Sequence, residues 1–219
     1  MPINEAPVKA GVDHSPPRLW LGPRLVLASR SAGRAALLSS AGLSFATDPA
    51  RLDERAVEEE FLRAGGAPAA LAASLARAKA LEVSGRNPDA LCLGADQTLT
   101  LEASVLHKPR DMAAAERHLQ LLAGRTHQLA SAFCFARGGE ALFEESEVAR
   151  LTMRPLDTRA IKTYLALAGE TALGSVGAYQ VEGLGAHLFE EIDGDHATIV
   201  GLPLLKVLAW LRLQGYLAL

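Results

Sequence analysis

The sequence predicts a single α/β domain, a mixed central sheet flanked by helices in two lobes, and three observations carry that expectation. Short apolar runs bounded by turn residues, among them 25–28 (LVLA) and 90–95 (ALCLGA), read as strands. Between them lie segments with apolar residues at helical spacing that begin at Ser, Asp or Pro and end at Gly. A length of 219 residues, 49% hydrophobic and 21% charged, suits one soluble core large enough to need neither disulfides nor a structural metal. The excess of Ala and Leu over Ile and Val raises the helix expectation without excluding the sheet.

The first 23 residues, MPINEAPVKAGVDHSPPRLWLGP, hold five of the 11 prolines and lack the cationic start and continuous apolar stretch of a secretory signal. Residues 1–24 therefore read as a flexible arm and 25–219 as the domain. Strand 25–28 runs into Ser29-Arg30-Ser31 and a helix carrying Ala35, Leu38 and Ala41, with Ser31 as N-cap and Gly42 as its stop. Residues 43–45 read as a second strand, and a helix is expected to begin near Asp53 or Glu54. From 67 to 83 the spacing of Leu71, Leu75 and Ala78 is helical, with Pro68 in the first turn and Gly85 as terminator. The continuous apolar run 90–95 suits a strand buried on both faces, which places Asp96 at its carboxyl end. A separate strand is expected over 99–106, and Asp111 can cap a helix carrying Met112, Ala115, Leu119 and Leu122. Segments 128–136 and 141–153 flank Gly138-Gly139 as an antiparallel hairpin. A capped helix over 157–168, a Gly-rich loop over 174–185, a strand near 187–192 and a helix from Leu202 to Leu213 complete the chain.

Several function classes fall away on composition and motif. Cys92 and Cys134 have no ligand spacing and read as buried thiols of a reducing compartment. No apolar stretch reaches the 18 residues of a bilayer span, and a net charge of −3 with pI near 6.1 offers no general basic field for nucleic acid. A cytoplasmic protein with neither a membrane nor a nucleic-acid partner is expected. No Walker A loop or HExxH is present, Gly183-Leu184-Gly185 does not follow the Rossmann pattern, and Ser29 and Ser31 have no neighbouring His for acyl transfer. His118 and His127 read as a helix-surface and a strand-edge residue, not as ligands.

The charge, however, is sorted. Residues 18–47 contain Arg18, Arg24, Arg30 and Arg34 and no acidic residue, whereas 48–60 is rich in acids. A serine-lined turn at a helix N-terminus offers N–H groups, hydroxyls and the positive dipole end to a phosphate, although a simple capped helix explains it equally. A strand-end Asp96 seeks a metal, a cation or water. Asp53-Glu54 adds carboxylates, and Glu58-Glu59-Glu60 reads as a solvated helix face. Lys79 lies on an otherwise apolar helix and Lys108 precedes Pro109. Together these residues suit a polyphosphate held with Mg²⁺.

Segment 25–38, LVLASRSAGRAALL, resembles the opening S-x-S-P-R-R-x-x-L-L of the Maf nucleotide pyrophosphatases. Further blocks follow in order: Asp53-Glu54, Ala76-Arg77-Ala78-Lys79-Ala80, Gly94-Ala95-Asp96-Gln97, His107-Lys108-Pro109, and Ile192-Asp193-Gly194 with Gly201-Leu202-Pro203. The resemblance covers about residues 25–215. It implies a Maf/ITPase-like fold and hydrolysis of a nucleoside triphosphate between its α and β phosphates, with a divalent metal cation, Mg²⁺ or Mn²⁺, and a homodimer. By motif, Asp96 is the general base or metal-linked carboxylate, with Glu54 as its partner at the metal. Lys79 and Lys108 complete the catalytic set by holding phosphates, while Ser29, Ser31 and Arg34 line the turn beneath the triphosphate.

Departures from the motif bear on the base. The first arginine of S-P-R-R is Gly33, D-T becomes Asp96-Gln97, I-Q-G becomes Val181-Glu182-Gly183, and D-K-A-G becomes Gly174-Ser175-Val176-Gly177. The pairing of Gln97 with Glu182 resembles the 7-methyl-GTP pyrophosphatase branch, and a carboxylate can accept from guanine N1–H and its amine. Gly33 is not that branch's tryptophan, so the base stays open among non-standard or modified nucleotides, 7-methyl-GTP included. The alternative is a non-catalytic nucleotide-binding regulator of cell division, and a generic phosphatase would release orthophosphate first.

Overall fold

Helix starts follow side-chain acceptors. Ser31 precedes α1 (Ala32–Ser40), Asp53 precedes α2 (Glu54–Arg63), Asp111 precedes α4 (Met112–Leu122), Asp157 precedes α5 (Thr158–Ala168), and Asp195 precedes α6 (His196–Val200). In each case the side chain accepts a backbone N–H of the first turn, one of the donors a helix cannot satisfy internally. The remaining helices are α3 (Leu71–Arg86) and α7 (Leu204–Leu213). This computed structural model describes residues 18–219; of the arm expected over 1–24, residues 1–17 lie outside the described residues.

The strands β1 (Leu25–Leu27), β2 (Ala46–Thr47), β3 (Leu91–Leu101), β4 (Ser104–Leu106), β5 (Thr126–Arg137), β6 (Glu140–Met153) and β7 (Phe189–Asp193) form one seven-stranded sheet. Its order is β2-β1-β3-β5-β6-β7, with β4 also on β3. Pairing is parallel through β2, β1 and β3 and antiparallel elsewhere, which is the mixed α/β architecture expected. Side-chain alternation along β3 and β5 divides the core. Leu93, Ala95, Phe133 and Phe135 pack with α1 and α7, while Leu99 and Leu129 pack on the same face under α4 and α5. The opposite face, with Cys92, Ala130, Ala132 and Cys134, receives α3. Among the described residues no helix is long and apolar enough to cross a membrane.

The structure departs from the expected elements at several places, and the separate strand expected over 99–106 is instead the end of β3 and the short β4, joined by a turn at 102–103. β3 continues through Asp96 to Leu101, because β5 pairs with it from Cys92 to Thr100 and the β-branched Thr98 and Thr100 sustain the alternation. Asp96 is thus an interior strand residue, not a strand end. The short second strand is 46–47 instead of 43–45, set by parallel pairing to Val26 and Leu27. α3 runs past Gly85, whose surroundings are open, and ends where Asn87 N–H and its side chain both meet Val83 O. α6 precedes α7 as a separate turn of helix. Within the expected arm, Trp20 bridges to Leu217 and Leu21 N–H bonds Tyr216 O at 2.9 Å, so residues 18–24 dock on the C-terminal segment.

One glycine controls the seating of α3. A Cβ on Gly94 would lie 2.2 Å from Ala76 O and 2.5 Å from Ala80 N, so the strand admits the helix only because this position has no side chain. Gly94→Ala is expected to lower stability by about 3 kcal/mol through overpacking, measured by urea denaturation. A variant with an unchanged midpoint would show that α3 is free to move.

Candidate active site

β1 covers Leu91–Leu93 of β3 and β4 covers Leu99–Leu101 on the same edge, so among the described residues no strand lies beside 94–98 there. A cleft of about 670 Å³ opens at this gap. Its lining includes every residue expected at the site: Ser29, Ser31, Gly33 and Arg34 from the β1–α1 turn, Glu54 from α2, Lys79 from α3, Asp96 and Gln97 from β3, Lys108 after β4, and Glu182 from the loop before β7. Residues from motifs scattered over the sequence thus meet in one cleft, although residues 192–194 and 201–203 do not line it.

Lys79 is the centre of the charge arrangement. Its Nζ lies 2.5 Å from Asp96 Oδ1 and 3.0 Å from Glu54 Oε1, with Lys79 and Asp96 buried and Glu54 half-exposed. The expected phosphate-holding lysine thus links the two expected metal carboxylates. Among the described residues Asp96 Oδ2 and Glu54 Oε2 accept no hydrogen bond and remain for a ligand.

Arg34, also buried and expected beneath the triphosphate, acts as a structural brace. Its Nε donates to Gly201 O at 2.8 Å, and its Nη1 donates to Ser29 Oγ at 3.0 Å and to Ala95 O at 2.9 Å, covering the open edge of β3. Burial lowers its pKa, opposed by the charges of Asp96 and Glu54, and only Nη2 is left without a partner among the described residues. The bidentate phosphate contact that a free guanidinium would make is reduced to one nitrogen. Ser29 Oγ also accepts from Ser31 N–H at 3.2 Å, and Ser31 Oγ caps α1 at Arg34 N–H, so both hydroxyls keep a proton to donate.

The three residues expected to read the base differ in role. Gln97 Nε2 lies 2.9 Å from Ser131 Oγ, 3.1 Å from Thr198 O and 2.9 Å from Ile199 O, which ties α6 to the sheet and, among the described residues, leaves its Oε1 without a partner. Gly33 faces Val200, whose Cγ1 a Cβ would approach to 2.9 Å. Glu182 is exposed at the rim.

A model of the Maf-like protein family matches residues 24–214. The chain belongs to that family. Relatives of this Maf-like chain include proteins named 7-methyl-GTP pyrophosphatase from Brucella suis biovar 1 (strain 1330), 54% identical over 189 residues that span 86% of this chain and 95% of that protein, and from Rhizobium johnstonii (strain DSM 114642 / LMG 32736 / 3841), 54% identical over 193 residues, 88% and 97% of the two chains. A Rhodopseudomonas palustris (strain BisB5) protein named nucleoside triphosphate pyrophosphatase is 53% identical over 204 residues, 92% of this chain and 99% of its own.

Two residues lining this Maf-like cleft, Glu58 and Tyr179, escape the sequence reading. Glu58, which by sequence belongs to a solvated helix face, places Oε1 3.4 Å from His107 Nε2 and so connects α2 to the segment after β4. The available signal was spacing, since Glu58 follows Glu54 by one helical turn on the same face. For Tyr179, in the Gly-rich segment, the sequence carries no comparable signal.

Removing Lys79 would strand a buried carboxylate. Lys79→Met is expected to destabilise the fold by about 3–5 kcal/mol, and adding Asp96→Asn should recover part of that loss in denaturant titrations. Equal stability of the two variants would mean that the pair is not coupled. Lys108, exposed at the mouth, has its pKa lowered by withdrawal from water and by Arg34, with Asp96 and Glu54 opposing. The folded chain then binds fewer protons than the unfolded chain between that lowered value and 10.5, so stability rises with pH across that window. Lys108→Met should flatten this rise in denaturation midpoints, and an unaltered slope would assign it to another group.

Proposed function

We propose that this chain hydrolyses nucleoside triphosphates between the α and β phosphates, releasing a nucleoside monophosphate and pyrophosphate. The observation that carries the reading is the pair of carboxylates joined by Lys79 in a cleft that also holds Arg34, Lys108, Ser29 and Ser31. The names of the relatives support the same chemistry. In this mechanism Asp96 Oδ2 accepts a proton from a water as its oxygen bonds the α-phosphorus. The bond from that phosphorus to the bridging oxygen breaks, and the pyrophosphate takes the electron pair. Lys79, held beside Asp96, keeps the base oriented, while Lys108 and Arg34 Nη2 meet the charge that develops on the phosphates.

The donor set fits a divalent cation such as Mg²⁺ or Mn²⁺. Glu54 and Asp96 supply hard carboxylate oxygens, and among the described residues no cluster of three or more His, Cys, Asp or Glu adds to them, so phosphate oxygens and water would complete the shell. When bound, the ion neutralises phosphate charge and polarises the phosphoryl oxygens. At the rim, Glu182 favours guanine-type bases, as its carboxylate can accept from N1–H and the exocyclic amine and attracts the positive charge of a 7-methylated ring.

A panel of nucleoside triphosphates with Mg²⁺ or Mn²⁺, assayed for pyrophosphate and orthophosphate, tests the reaction. Pyrophosphate as first product is expected; orthophosphate first, or binding without turnover, overturns it. Asp96→Asn should lower kcat by about a hundred- to ten-thousand-fold with the fold intact, and near-normal turnover would move the base elsewhere. Glu182→Gln should narrow the preference for guanine over uracil nucleotides, whereas an unchanged ranking removes Glu182 from base recognition.

A further inference from the structure

The wall that carries Glu182 is held in an unfavourable backbone conformation. Gly177 has φ +76°, and a Cβ there would lie 2.6 Å from Tyr179 Cε1 and 2.7 Å from Leu99 Cδ1. The next residue, Ala178, has φ +64°, a left-handed conformation that costs free energy for any residue with a Cβ. Something must hold these two residues there. Tyr164 Oη donates to Ala178 O at 3.1 Å, and Ser175 Oγ donates to Tyr179 O. The deepest restraint is on Tyr179, which lines the cleft yet is only 3% exposed; its Oη lies 2.6 Å from Nε2 of His127 on β5. Phe189 packs edge-on against the Tyr179 ring at 4.8 Å.

Neither the motif assignments nor the reaction uses His127. It is 1% exposed, and burial pushes its pKa down to about 4, so at neutral pH the ring is an uncharged acceptor for the Tyr179 phenol, itself kept protonated by burial. Among the described residues Nδ1 has no partner, so one polar atom of the ring is buried unsatisfied. An apolar pair would fill this part of the core, beside Leu99 and Leu129, without that cost. What the polar pair adds is direction, because a short hydrogen bond fixes the Tyr179 ring where packing alone would let it slide.

We propose that Tyr179 and His127 form a buried clamp that holds the strained segment 175–180 and thereby sets the position of Glu182, making both positioning residues for base selection. This rests on the reading of the cleft as a nucleotide site. Three more residues act with the clamp. Tyr164 and Ser175 restrain the successive carbonyls of Ala178 and Tyr179, directly after the strained peptide, and Gly185 permits the loop to fold back, since a Cβ there would lie 2.4 Å from Gln180 O.

The test compares GTP with UTP on the full chain, by calorimetric binding without added metal and by kcat and KM with Mg²⁺. Wild type should bind GTP more tightly than UTP. Tyr179→Phe, which keeps the ring and removes the hydroxyl, should lower that preference by about tenfold, the worth of one buried hydrogen bond, with the change in KM and not in kcat. His127→Gln, whose side chain can still meet the phenol, should retain the preference. Ala178→Gly should raise Tm by about 2–4 °C by relieving strain with the preference kept, because glycine adopts this conformation freely, and added to Tyr179→Phe it should restore part of the lost preference. Lost stability with an intact GTP-to-UTP ratio in Tyr179→Phe, no recovery of the ratio when Ala178→Gly is added to Tyr179→Phe, or a wild type that binds both nucleotides equally would overturn the clamp. Because binding is read without turnover, a chain that discriminates bases but releases no pyrophosphate would sink the hydrolytic reading and leave the clamp standing.

Discussion

The close approach of α3 to β3 at Gly94 is the constraint on which the site depends. The helix backbone can lie against the strand because no Cβ intervenes. Lys79, a residue that would ordinarily extend into water, is thereby brought onto the sheet beside Asp96. Each member of this pair would be costly to bury alone. The ion pair offsets the cost of burying the two charges, with Glu54 as a second partner of Lys79, and it delivers a carboxylate with a defined direction to the floor of the cleft. Ala72 and Ala76, small residues on the same helix face, continue the close contact against Ala130 and Ala132.

The second requirement is a place for a ligand to sit, and the sheet supplies it by omission. β1 stops at Leu27 and β4 begins only opposite Leu101, so the middle of β3 has an open edge in the interior of the fold. An unpaired strand edge is ordinarily a liability. Here Arg34 occupies it, bonding Ala95 O while it fastens Ser29 and Gly201, so one guanidinium closes the edge, joins three segments of chain and leaves positive charge facing the cleft. Structural and ligand-directed roles are not separable for such a residue.

Much of this was legible in the sequence, for identifiable reasons. Helix starts were readable because the capping interaction is local: Ser31, Asp53, Asp111 and Asp157 act on residues two or three positions ahead. The β5–β6 hairpin was readable from Gly138-Gly139, both of which have positive φ. The residues that gather in the cleft were readable through their motifs. What could not be read was anything decided by partners distant in sequence. Asp96 interrupts an apolar run and so looks like a strand end, yet pairing with Ala132 carries the strand through it. Lys79 meets carboxylates 25 positions before it and 17 after it, Gln97 is bound to carbonyls about a hundred residues away, and His127 finds Tyr179 across 52 positions. No local pattern encodes such contacts.

α2 gives the site a further property. This helix contributes Glu54, yet none of its residues is buried. Its polar ties to the rest of the molecule include Glu54 to Lys79 and Glu58 to His107, both at least partly open to solvent. An element held in this way opens with a small free energy compared with global unfolding. Opening of α2 would leave Asp96 and Lys79 in place and remove Glu54, setting the complete site in equilibrium with one that lacks this carboxylate. A ligand that engages Glu54 draws that equilibrium toward assembly, and its apparent affinity is scaled by the assembled fraction. Surface substitutions along α2, remote from any reacting atom, would then tune binding through the occupancy of the complete site.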